Sequence, residues 1–202
     1  MAKTDTHDAR ATQSKRRRNL TATKADLLDA ALSAFSERGY DGVSAREIAL
    51  DVGVNPMLVS RYFGTKEQLF TAAADVAFSA DDRFSALFGA ERAELGKRLA
   101  EFIVRKRAAP KKGPDALSLM IRAAPNPNAA AILRSAIARH FEEGLADTLS
   151  GGDHARERAG LLLSLIAGFQ TMDGLIGLDR LSQADESFLT DVLGRMFQAA
   201  IS

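Results

Sequence analysis

The sequence predicts an all-α protein, and three observations predict it. Three helix starts crowd into residues 43–70. Elsewhere apolar residues recur at spacings of three and four, the period of a helix with one buried face. No stretch shows the sustained alternation of a half-buried strand, and no repeat or low-complexity tract interrupts the pattern. Composition agrees. The chain has 202 residues, 46% hydrophobic and 26% charged, enough for one large or two small well-packed domains.

The elements follow in order. Residues 1–22 are polar and read as a basic arm carrying Lys15, Arg16, Arg17 and Arg18. Thr23 begins a first helix that runs to Arg38, with Leu27, Leu28, Ala31, Leu32 and Phe35 on one face. Gly39 closes it, and Tyr40-Asp41-Gly42 turns the chain. Ser44 and Glu47 form a capping box, the hydroxyl on the amide three residues on and the carboxylate reaching back. Asn55 before Pro56 is an N-cap followed by proline at the first helical position. Thr65 and Gln68 form a second box. Val43 with Ile48 and Val54 with Val59 are staples across the first two starts. Two short helices, about 45–52 and 56–63, are thus separated by Val52-Gly53-Val54, where glycine supplies a positive φ at no steric cost. A fourth helix starts after Thr65 and reaches Phe78 or beyond.

After Gly89 the composition shifts. Leu95, Leu99, Phe102 and Ile103 mark a helix that ends before the breaker-rich Pro110-Lys111-Lys112-Gly113-Pro114. A helix at about 115–124 follows. Asn126 and Pro127 repeat the cap-plus-proline pattern and open a long helix to about Leu149, ended by Gly151-Gly152. Two more helices, about 154–178 and 185–200, complete the chain. The expected division is an arm at 1–22, a helix-turn-helix domain at 23–66 and a helical domain at 67–202.

Two short helices joined by a tight turn are the size that fits a DNA major groove. The plain alternative is a structural αα-corner inside a helical protein-interaction module. A basic arm beside the turn is what phosphate binding needs, although net charge is only +1. There are no cysteines and three histidines, His7, His140 and His154, none at ligand spacing. No catalytic constellation, metal site or cofactor loop is expected. The tail has no apolar leader segment, and the most apolar run, Leu161–Phe169, is too short to span a bilayer. A cytoplasmic protein with no membrane partner is expected.

Residues 23–70 resemble the tetracycline-repressor (TetR) family of bacterial transcription regulators. The resemblance is carried by Ala30-Ala31-Leu32-Ser33-Ala34-Phe35, Arg38-Gly39-Tyr40, Ser44-Ala45-Arg46-Glu47-Ile48-Ala49, Gly53-Val54 and Tyr62-Phe63-Gly64-Thr65-Lys66-Glu67-Gln68-Leu69. It covers about a quarter of the chain. It implies an Ω-shaped homodimer whose N-terminal domains bind a palindromic operator and whose C-terminal helices hold a ligand pocket and the dimer interface. The effector would be small and apolar or amphipathic. Pro56, Met57 and Leu58 stand where many relatives are polar, and Ser60 where many have tyrosine, so the operator sequence is expected to differ.

On that reading Arg46 reaches a guanine edge, which a guanidinium takes bidentately. Ser44 caps its helix, and the same exposed start can accept a DNA phosphate; Asn55 and Thr65, at the other two exposed starts, are DNA-binding candidates too. Pro56 and Met57 offer apolar contact to a thymine methyl. Ser60, Arg61 and Tyr62 project toward DNA, while Val59 and Phe63 face inward. Lys66, in a first helical turn, opposes the helix dipole, a conflict that a bound phosphate would relieve. Arg16, Arg17 and Arg18 would track the minor groove or backbone.

In the C-terminal half, Phe102, Met120, Phe141, Phe169 and Met172 are candidate pocket residues, since methionine and aromatic side chains line adaptable apolar cavities. Asp173 interrupts an apolar stretch and joins them as a candidate polar contact. Leu161, Leu165, Phe188, Val192 and Met196 are candidates for a symmetric four-helix dimer interface.

Overall fold

The computed structural model describes residues 23–79, 82–108 and 115–202; the arm with Arg16, Arg17 and Arg18 and the loop at 110–114 lie outside them. Among the described residues there are helices and no strands. Helix α1 spans 23–38. The next are α2 (Ala45–Asp51), α3 (Met57–Phe63) and α4 (Lys66–Ser79). Then come α5 (Asp82–Ser85), α6 (Arg92–Ala108), α7 (Ala116–Ala123) and α8 (Pro127–Ile137). The last are α9 (Glu143–Thr148), α10 (Ala155–Gln170), α11 (Asp179–Ser182) and α12 (Glu186–Ile201).

The predicted caps are in place. The Glu47 amide donates to Ser44 Oγ at 3.2 Å, and the Ser44 amide donates to Glu47 Oε2 at 2.7 Å. The Gln68 and Thr65 pair repeats the exchange at 3.2 and 2.9 Å. Asn55 Oδ1 accepts from the Met57 amide at 2.9 Å, and Pro56 already has helical backbone angles. Between α2 and α3 the Gly53 amide donates to Leu50 and the Val54 amide to Ala49, both at 2.9 Å. That two-bond closure requires a left-handed residue, and Gly53 supplies it at φ +76°.

Two apolar cores result. The first joins α1–α4 with α7 and α8 around Phe35, Tyr40, Ile48, Val59 and Phe70. The second joins α5, α6, α9, α10 and α12 around Leu95, Leu99, Leu162, Leu193 and Phe197. Because α7 and α8 contribute to the first core, the helix-turn-helix is seated on the rest of the chain rather than hung from α4 alone. The α1 terminus also approaches α7 closely, since a Cβ at Gly39 would lie 2.7 Å from the Arg122 carbonyl oxygen. Asn126 accepts the α8 amides with Oδ1 and donates with Nδ2 to Asp41 at 2.8 Å.

Local signals miss several features. The long helix after Pro127 carries a π-helical turn at Ala138–Glu142, and the helix after His154 ends in another at Thr171–Ile176. The one-turn helices α5 and α11 are too short for a periodic pattern to declare them. The apolar segment also exceeds the run Leu161–Phe169 read from the sequence. Ala155–Ile176 forms 22 helical residues, long and apolar enough to cross a membrane by length and composition, and 17% of its most apolar stretch is buried.

Candidate nucleic-acid interface

Burial of Ile48, Ala49 and Val59 decides which side of the helix-turn-helix faces out. On α3, residues 57, 60 and 61 share a face by helical spacing. Met57 is 76% exposed there, and Ser60 and Arg61 are exposed beside it. Arg46 on α2 and Ser44, Asn55 and Thr65 at the helix starts are exposed too, and Pro56 is half-buried. No described residue forms an ion pair with Arg46 or Arg61. Ser44, Asn55 and Thr65 direct their side chains to backbone amides, so each is engaged as a cap.

Two residues depart from expectation. The Tyr62 hydroxyl is buried and without a hydrogen-bond partner among the described residues, because α3 turns that side chain toward the first core. Tyr62 therefore does not present its hydroxyl to DNA in this conformation. Lys66 does not stand in conflict with its helix. Its Nζ lies 4.3 Å from the centroid of the Tyr40 ring, which attracts a cation through its negative face. The Glu47 and Glu67 carboxylates add their fields at the same place. The dipole penalty is met within the protein, and a phosphate is not needed to relieve it. Phe63 behaves as expected, half-buried against the first core, with Lys24 Nζ 5.5 Å from its ring centroid.

The sequence places Tyr40 in the turn after α1 but gives it no part in the DNA surface, although its ring supports Lys66. Tyr40 packs at 5.1 Å from Phe70 and 6.0 Å from Phe35. Burial pushes its phenol up to about 12, and the Glu67 carboxylate adds to that by charge and hydrogen bond. The hydroxyl stays a donor to Glu67 at neutral pH. Glu67 in turn is held below the usual carboxylate range by its own amide and by the Thr65 hydroxyl, and Glu47 by hydrogen bonds from Ser44.

The C-terminal candidates divide. Met120 packs against the first core, Phe102 and Phe169 against the second, and Phe141 against both. Met172 is 45% exposed. The aromatic and methionine candidates are thus divided between the two cores and the surface. Asp173 is committed inside the chain. Arg107 Nε donates to its Oδ1 at 3.1 Å, and the same guanidinium donates to the carbonyls of Leu181 and Ser182 at the end of α11. By contrast Leu161, Phe188 and Met196 are exposed and Leu165 and Val192 half-buried, so α10 and α12 present an uncovered apolar face. A Cβ added at Gly160 or Gly168 on α10 would meet nothing. Among the described residues, no three His, Cys, Asp or Glu side chains group as a metal site.

Comparison with known proteins fits this geometry. Residues 27–73 match the family described as bacterial regulatory proteins, tetR family, and residues 93–201 match the tetracyclin repressor-like C-terminal domain. The chain is similar to the HTH-type transcriptional regulator TcmR of Streptomyces glaucescens, with 33% identity over 110 residues, 48% of this chain and 49% of that protein. It is 49% identical over 51 residues to an HTH-type transcriptional repressor of Mycobacterium tuberculosis, 25% of this chain and 27% of that one. The matched region thus spans half or less of these curated relatives' length. A solved TetR-family regulator from Streptomyces coelicolor superposes with a TM-score of 0.58 at 28% identity, covering 90% of this chain and 95% of that one.

Proposed function

The chain belongs to the TetR family of bacterial regulatory proteins, and on that premise we propose that it binds a palindromic DNA operator as a homodimer, represses transcription there and is released by a small amphipathic effector. The observation that carries this reading is the outward face of α3. Met57, Ser60 and Arg61 are held exposed by a helix whose opposite face is buried and whose start is capped. Side chains so placed read a major groove by apolar contact, hydroxyl and guanidinium. Arg46 adds a second guanidinium from α2, and Lys66, positioned on the Tyr40 ring, is a phosphate contact at the start of α4.

The uncovered face of α10 and α12 is the surface on which a second copy docks. That assignment also accounts for the apolar character of Ala155–Ile176 without a membrane. Two copies joined there would place their recognition helices one helical turn of DNA apart, about 34–36 Å. The chain acts by binding rather than by turnover, in the cytoplasm where the operator is.

The test is selection of bound sequences from random duplex DNA by purified protein at physiological salt. An enriched palindrome with half-sites one turn apart is the expected result. Binding without enrichment that vanishes as salt rises would overturn the operator reading.

A further inference from the structure

Helix α6 has a largely exposed side, on which Phe102 packs against the edge of the second core. Residues 98, 101, 102, 105 and 106 fall on one helical face, and this face borders a cavity of about 330 Å³ closed on its other side by Ala86 and Leu87. We infer that this cavity binds an amphipathic organic anion, a carboxylate or sulfonate carried on an aromatic or short acyl body. The inference rests on the regulator reading for its consequence, but the site stands on its own chemistry.

The apolar part is the Phe102 ring with Leu87 and Ala86. Among the described residues the rim is cationic: Arg98, Arg105 and Lys106 with the carboxylate of Glu101. Glu101 is already engaged by Arg105 at 3.5 Å. Lys106 Nζ lies 5.9 Å from the Phe102 centroid, and no described residue gives Lys106 or Arg98 a carboxylate partner. The helix dipole accounts for cations in the last turn of α6, but not for Arg98 in its middle. Arg107, the other cation of that turn, is turned away to Asp173 and α11. The volume is at the low end of small-molecule sites, roughly 300–1,000 Å³, which limits the apolar body to one or two rings or a short chain. A cation would be repelled by this rim, and a neutral body would leave its charges unused.

Occupancy would be felt beyond the cavity. Phe102 packs on Phe84 at 5.5 Å, Phe84 on Phe141 at 5.2 Å, and Phe141 on Phe78 at 5.4 Å. Phe78 belongs to α4, the helix whose first turn carries Lys66. A ligand that moves Phe102 therefore presses on a series of edge-packed rings that ends on the helix leading to DNA.

The experiment uses 1-anilinonaphthalene-8-sulfonate as the anion and N-phenyl-1-naphthylamine, the same rings without the sulfonate, as its neutral counterpart. The full chain is expected to bind one anion per subunit about tenfold more tightly than the neutral probe at low salt, with the preference fading as salt rises. The double variant Arg98→Gln, Lys106→Gln changes only exposed side chains, and it is expected to keep the neutral probe and lose the preference. The chain has no tryptophan, so Ala86→Trp, also at an exposed position, locates the probe by energy transfer. Equal affinity for the two probes, a preference that survives the double substitution, or absent energy transfer would each overturn the site. DNA binding without probe tests the regulator reading separately. Enriched DNA binding together with no anion preference sinks the site alone, and anion preference without DNA binding sinks the regulator reading alone. Release of bound operator at saturating anion is expected, and retention would overturn its role as effector site.

Discussion

The helix starts of the DNA-facing half are closed by neighbouring side chains: Ser44 for α2, Asn55 for α3 and Thr65 for α4. In the C-terminal half, α9 and α10 begin with no side-chain cap at all. There α9 continues out of a π turn, and α10 starts from His154, held at φ +63°. The three starts around the helix-turn-helix are fixed within four positions, as are those of α7, α8 and α12, which Asp115, Asn126 and Asp185 cap. What α9 and α10 lack locally is supplied around them by contacts across tens of positions, such as Arg107 with Asp173 and Gln198 with Gly96. A docking surface that must present fixed side chains gains from local specification. A domain proposed to yield to a ligand and a second subunit does not need it.

If the first core is a unit shared by α1–α4, α7 and α8, then emptying its centre should cost most. Phe70 is fully buried and meets Phe35 at 5.0 Å and Tyr40 at 5.1 Å, each edge to face. Phe70→Ala should lose about 3–5 kcal/mol in denaturant unfolding. It should also loosen α7, seen as faster amide exchange in Ala116–Ala123. Unchanged protection there would show that the helix-turn-helix is independent of its seat.

In the other half the sensitive point is close approach rather than volume. At Gly96 a Cβ would lie 2.7 Å from the Gln198 amide nitrogen and 2.8 Å from the Gly194 carbonyl oxygen, both backbone. Gly96→Ala must therefore separate α6 from α12 and should cost about 1–3 kcal/mol. The alanine gain in helix propensity, about 1 kcal/mol, works against this, so a net stabilisation in a melting experiment would mean that the two helices can slide apart freely.

These two sites also show what a sequence discloses. Caps, Gly39, Gly53 and the inward face of α1 follow from spacing and residue type, because the physical cause is local. So does exposure of Arg46, Met57 and Arg61, once the buried face is known. The π turns carry no residue signal, since they arise where one extra residue is absorbed by packing. Asp173 reads as a lone acid in an apolar run until the fold brings Arg107 to it from 66 positions away. Lys66 reads as a misplaced cation until the turn after α1 lays the Tyr40 ring beneath it. The Tyr62 hydroxyl reads as outward because its helix faces DNA, whereas its own position on that helix turns it in.

Contacts to DNA should separate by kind. Arg46→Ala should cost about 1–3 kcal/mol on the selected site and little on random duplex, the mark of a base contact. Lys66→Ala should weaken both and reduce the salt slope by about 1. It also removes the cation from the Tyr40 ring, worth about 0.5–1 kcal/mol at an exposed site, so its melting temperature must be measured alongside. Equal losses on both DNAs for both variants would erase the distinction between base and phosphate contacts.

The smallest effect expected is at the joint between the halves. Asp75 on α4 accepts from Arg139 Nη2 at 2.7 Å, and its Oδ1 lies 2.9 Å from His140 Nε2, both partners in the π turn after α8. Burial works to raise the Asp75 carboxyl, but hydrogen bonds from His140 and Arg139 and the nearby charge outweigh it, and the group lies below its ordinary 3.8. A carboxyl depressed in the folded state contributes stability that is complete above the unfolded value and is lost as pH falls through the folded one. The contribution is therefore complete at pH 7 and begins to fall only below about pH 3.8, fading as pH passes through the lower folded value. Asp75 is 41% exposed, so solvent screens the pair and the effect is modest. Asp75→Asn should be less stable than the parent chain at pH 7, with the gap closing as acid protonates the parent carboxyl. Urea midpoints measured from pH 7 down to pH 3 decide it. A gap that stays constant would mean that α4 is held to the π turn by the Phe78 and Phe141 rings alone, and that the charged contact follows that packing rather than supports it.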